Sequence, residues 1–183
     1  MNEDFKQPGQ ELSRRRFVKI VRDSALILIL PRTLGCSGRR SNERSSTSTY
    51  QLRFLTLGEA ETVEAVTARI IPSDEQPGAR EARVVDFIDY MLATTYVAQQ
   101  RTYRQGLLEL DQLSRRTYGR QFVAVAEKEQ DELLSGMERR GIREWKEAGD
   151  FFSTIRLHTI EGMFSAPKYY GNADRVGWQL LDV

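Results

Sequence analysis

From Thr56 onward, apolar residues recur at helical spacing. Thr56-Leu57-Gly58-Glu59 offers a hydroxyl and, three residues later, a glutamate, and Val63, Val66 and Ile70 follow. This capping box ahead of periodic apolar positions predicts a first helix over about 57–70 that ends before Pro72. Pro72-Ser73-Asp74-Glu75-Gln76-Pro77-Gly78 is polar and rich in chain breakers, and reads as a solvated loop. Val84, Val85, Ile88, Met91 and Leu92 predict a second helix over about 80–95. Tyr103, Leu107, Leu110 and Leu113 or Ser114 keep the period into a third, with Gly119 placed as its C-terminal stop. Leu133, Leu134 and Met137 share one side of a fourth helix over about 126–137. Phe151, Phe152, Ile155, Ile160, Met163 and Phe164 make the strongest apolar stripe and predict a fifth over about 143–164, at the centre of the core. No segment sustains period-two alternation with β-branched enrichment, and no Asn-Gly hairpin signal occurs. The expected fold is all-α: a single compact helical domain of about five helices over residues 52–183.

Ahead of that domain the pattern changes. Ser13-Arg14-Arg15-Arg16-Phe17-Val18-Lys19 leads into the apolar run Ala25-Leu26-Ile27-Leu28-Ile29-Leu30 and then small residues, which is signal-peptide order. Arg14-Arg15, with Ser13 before, Phe17 two places after and Lys19 beyond, resembles the twin-arginine export signal, an address used for cargo that folds before export. The run stops well short of the roughly 20 residues a membrane-spanning helix needs. Leu34-Gly35-Cys36-Ser37 resembles a lipoprotein processing box, with Thr33 where that pattern prefers leucine. Cys36 is thus either a lipid-modified first residue, anchored by roughly 0.8 kcal/mol per buried CH₂, or an unmodified cysteine beside a cleavage site. From Ser37 to about Thr49, Ser, Thr, Arg, Gly and Asn dominate and cannot bury enough surface to fold. The organisation expected is a signal over 1–36, a flexible tether over 37–51 and the helical domain.

Composition narrows the chemistry. The formal net charge of +1 on 183 residues points away from nucleic acid, and the basic excess sits in the leader. One cysteine and one histidine exclude a disulfide framework and a Cys-rich zinc or iron–sulfur site built by this chain alone. No Gly-x-Gly-x-x-Gly, phosphate loop, Cys-x-x-Cys-His or Gly-x-Ser-x-Gly motif is present. The chain is therefore expected to hold no cofactor or metal and to catalyse nothing alone. What remains is His158-Thr159-Ile160-Glu161, an i, i+3 pair on one helical face. It suits a hydrogen-bonded helix interface, or a metal or proton-transfer pair.

His158-Thr159-Ile160-Glu161-Gly162-Met163-Phe164-Ser165-Ala166-Pro167-Lys168-Tyr169-Tyr170-Gly171-Asn172, followed by Gly177-Trp178, resembles the signature of the gluconate 2-dehydrogenase subunit 3 family. Ile70-Ile71-Pro72-Ser73-Asp74, Gly78-Ala79-Arg80 and Val85-Asp86-Phe87-Ile88-Asp89 resemble that family's other block. The likeness spans roughly residues 52–181. A tyrosine precedes Gly171 where the family commonly has a glycine. The resemblance implies a non-catalytic accessory subunit that assists folding, twin-arginine export and assembly of a sugar or sugar-acid dehydrogenase. Its partners would be a large FAD-containing subunit of the glucose-methanol-choline type and a multihaem cytochrome c, with FAD and haem c held there, and the site periplasmic and membrane-associated through a partner or lipid. The segment Pro167 to Trp178 is a candidate docking loop. Tyr169, Tyr170 and Trp178 would be its anchors, with His158, Glu161 and Asn172 beside them; the other reading folds these aromatics back over the end of the bundle. Two further classes stay open: a self-sufficient lipid-anchored periplasmic binding protein resting on Cys36, and a metal-dependent enzyme using His158 and Glu161.

Overall fold

The computed structural model describes residues 50–182. The signal residues Ser13, Arg14, Arg15, Phe17 and Lys19, the cysteine Cys36, and all of the expected tether except Tyr50 and Gln51 lie outside the described residues.

Six helices and no strand form among the described residues. Helix α1, Leu57–Ile70, begins on the capping box read from the sequence: the Thr56 hydroxyl accepts from the Glu59 N–H at 3.4 Å, and the Glu59 carboxylate accepts from the Thr56 N–H at 2.8 Å. It buries Val63 and Val66.

Helix α2, Val84–Thr94, starts four residues later than its spacing suggested. Residues 79–83 form turns in which the Ala82 N–H donates to Gly78 O and the Val84 N–H to Ala79 O, and Arg83 takes a left-handed conformation at φ 54°. A left-handed residue cannot continue a right-handed helix backwards. The turns also bury Ala79 and Ala82.

Helix α3, Gln100–Tyr118, ends as expected on Gly119, left-handed at φ 73°. Helix α4, Glu127–Glu138, has half a capping box: Glu129 accepts from the Ala126 N–H at 2.8 Å, and alanine has no oxygen to return. Helix α5, Ala148–Phe164, also starts later than expected. Trp145 explains the difference. It is buried against Phe151, ring centroids 5.8 Å apart, whereas six residues along a continuous helix would set the two about 120° apart. Turns before Ala148 let both rings reach the core.

Helix α5 packs against all the other helices, including the short α6, Val176–Gln179. Of its expected stripe, Phe151, Phe152, Ile155 and Met163 are buried, while Ile160 and Phe164 are half-buried. Among the described residues no helix is long and apolar enough to cross a membrane.

Candidate functional site

His158 lies on α5 and is 2% exposed. Its Nδ1 pairs with the Tyr103 hydroxyl of α3 at 2.8 Å, and its ring is stacked with both Tyr96, centroids 4.4 Å apart, and Tyr103, 5.7 Å apart. Tyr96 in turn donates to Glu161 Oε2 at 2.8 Å, so the i, i+3 pair of α5 meets a pair of tyrosines from the facing elements. Burial pushes the His158 pKa down, partly opposed by the Glu161 charge. A neutral imidazole accepting at Nδ1 from Tyr103 is the form this environment favours. Burial, then the bond to Glu161, pushes Tyr96 up to about 12, and burial holds Tyr103 well above its ordinary value. Neutral rings accepting and donating in this order make a hydrogen-bonded helix interface. No group of three His, Cys, Asp or Glu side chains able to hold a metal is found among the described residues.

The C-terminal segment folds back over the end of α5. Asn172 is fully buried. Its amide donates to Ser165 O at 2.9 Å and accepts from the Gly177 N–H at 2.8 Å, clamping the turn between α5 and α6. The Trp178 indole N–H donates to Phe164 O at 2.9 Å, satisfying a terminal carbonyl of α5. The approach is close enough that a Cβ on Gly177 would fall on the Met163 carbonyl oxygen. Asn172 and Trp178 thus spend their polar atoms inside the fold.

Tyr169 and Tyr170 remain at the surface, 38% and 37% exposed. Tyr170 is left-handed at φ 70°, a conformation that favours glycine. Its ring lies 4.9 Å from that of Tyr50 and 5.1 Å from that of Tyr90, and Tyr90 lies 6.4 Å from Tyr169. Arg53 sits among them, its guanidinium carbon 4.9 Å from the Tyr90 centroid, 5.2 Å from Tyr170 and 5.8 Å from Tyr50, with one N–H donated to the Tyr170 hydroxyl at 3.1 Å.

Asp89 of α2 assembles this face from below. It is fully buried, and its carboxylate accepts from the Tyr50 hydroxyl at 2.6 Å and from the backbone N–H groups of Arg53 at 2.7 Å, Phe54 at 3.0 Å and Leu55 at 2.7 Å. Four donors satisfy the buried charge without a cation. The segment 50–55 is thereby fastened to α2, and burial and the bond to Asp89 raise the Tyr50 pKa. Sequence reasoning gave Asp89 no role and passed over Tyr50, Arg53, Tyr90 and Tyr96. Tyrosines at 50, 90, 96, 169 and 170 carry no common period, and only the fold joins them.

A family model described as gluconate 2-dehydrogenase subunit 3 matches residues 58–183. No curated protein and no solved structure matches the chain.

Proposed function

Since the chain belongs to the gluconate 2-dehydrogenase subunit 3 family, we propose that it is the accessory subunit of a dehydrogenase complex and works by binding, not by chemistry of its own. The observation that carries this reading is the contrast in how its polar groups are spent. His158, Glu161, Asp89 and Asn172 all have partners within the fold, while an arginine and tyrosine rings stand at the surface. A helical body that spends these four polar side chains internally and keeps an aromatic face outside suits a protein that recognises another protein.

The partner we propose is a large flavoprotein that carries FAD and oxidises a sugar or sugar acid, with a multihaem cytochrome c as electron acceptor. The leader fits this division of labour. Arg14-Arg15 with Ser13, Phe17 and Lys19 is a twin-arginine address, and a flavoprotein must fold around FAD before it crosses. A signal on the small subunit would then carry the folded pair outward, and the working site would be the periplasmic face of the membrane. The full chain, tagged at its C-terminus and recovered from its native host, tests this. A yellow complex with a large flavoprotein in the periplasmic fraction is expected. A chain recovered alone from that compartment, without flavin absorbance, sinks the reading.

A further inference from the structure

We propose that the face formed by Arg53 with Tyr50, Tyr90, Tyr169 and Tyr170 is where the dehydrogenase subunit docks, and that it takes a segment of that subunit bearing an aspartate or glutamate carboxylate. This rests on the accessory-subunit reading and adds to it the surface and the chemistry of its partner.

The guanidinium is set in place before any partner arrives. Asp89 holds the Arg53 backbone N–H at 2.7 Å, three tyrosine rings flank the guanidinium, and the Tyr170 hydroxyl takes one of its donors. Its other N–H groups form a planar fork that matches a carboxylate bidentately. A side chain already stacked loses less freedom on binding than a mobile one.

Charge points the same way. Among the described residues neither Arg53 nor Lys168, whose ammonium lies 4.9 Å from the Tyr169 centroid, forms an ion pair with a carboxylate. Asp89 and Asp86 lie beneath this surface: Asp89 is fully buried and bound by four neutral donors, and Asp86 is buried and paired with Arg83 at 2.6 Å. The charges that the face itself exposes are the cations Arg53 and Lys168, set among aromatic rings and complementary to an acidic segment. Tyrosine and arginine are also the residues that dominate binding hot spots, because they bury much area at small conformational cost.

Tyr170 adds an independent sign. A bulky residue held at φ 70° is strained where glycine would be relaxed. What the strained conformation achieves is a ring against Arg53, Tyr50 and Tyr90.

The test compares full-chain wild type with Arg53→Glu and Tyr170→Gly in the same native-host capture. Loss of a hot-spot contact predicts captured flavoprotein reduced about 30-fold or more by Arg53→Glu. Tyr170→Gly removes the ring but relaxes the backbone, so it should lower capture while the thermal midpoint holds. Equal capture by all three proteins overturns the docking face and leaves the accessory-subunit reading standing. Failure of wild type itself to capture a flavoprotein defeats that reading and the face with it. If wild type is instead a dimer that Arg53→Glu dissociates, the face joins two copies of this chain and the proposal is overturned.

Discussion

The cluster of buried Tyr103 and His158 with half-buried Tyr96 and Glu161, and the cluster of exposed Arg53, Tyr169 and Tyr170 with half-buried Tyr50 and Tyr90, use similar side chains for opposite ends. Inside, each ring is stacked and each polar contact is closed, Tyr103 to His158 and Tyr96 to Glu161. Outside, the rings also touch but are tilted against one another, and Arg53 spends one donor on Tyr170 and pairs with no carboxylate among the described residues. The lesson is that ring contact does not separate structure from recognition. Polar satisfaction does, because a buried group without a partner costs about 1–3 kcal/mol, whereas a surface group can wait in water for one.

The largest effect is expected at Asp89, which fastens the surface cluster's segment 50–55 to α2. Asp89→Ala would strand three backbone N–H groups and the Tyr50 hydroxyl, and a loss on the order of 3–5 kcal/mol is expected. Urea unfolding measures it; a loss under 1 kcal/mol would mean that segment 50–55 is held by something other than this carboxylate. Tyr103→Phe keeps the ring and removes only the donor to His158, so about 1–2 kcal/mol should go. An unchanged unfolding midpoint there would show that the interior is not closed by that bond.

A pH series sharpens the interior half further, because His158 is the only histidine in the chain. Its pKa is lowered by folding, so its contribution is intact above the unfolded value of about 6.5 and is lost as pH falls below that, when the unfolded chain takes up a proton the folded chain resists. Thermal midpoints from pH 7.5 to 5.5 should fall for wild type and flatten for His158→Gln. Matching slopes in the two proteins would contradict a buried neutral imidazole. The smallest effect on stability is expected at the surface. Arg53→Ala should shift the unfolding free energy by only about 0.5 kcal/mol, and a shift of several times that would move Arg53 from recognition into the scaffold.

The helices were legible where their signals are local. The capping box at Thr56 and Glu59 and the left-handed stop at Gly119 act through backbone groups within a few residues, so α1 and the end of α3 fall where the pattern set them. The starts of α2 and α5 were not, because they answer to packing: Ala79 and Ala82 are buried by turns, and Trp145 reaches Phe151 only by leaving the helix. The candidate sites divide the same way. His158 and Glu161 share a face by spacing alone, but their partners Tyr103 and Tyr96 lie 55 and 65 residues away. Tyr169, Tyr170 and Trp178 were read alike from a turn-rich segment, as docking anchors or as rings folded back over the bundle; Tyr169 and Tyr170 lie at the surface, while Trp178 and Asn172 turn their polar atoms inward.

By itself, the order of residues determined that this chain is helical, where most of its helices lie, and that it carries the motifs of its family, because periodicity and motif are properties of neighbours in sequence. The tertiary structure alone decided which polar groups are spent and which are free. Arg53 meets Tyr170 across 117 residues, and Asp89 gathers the segment 50–55 across more than thirty. Hydrogen bonds and burial depend on distances in space, which no pattern along the chain encodes until the helices have packed.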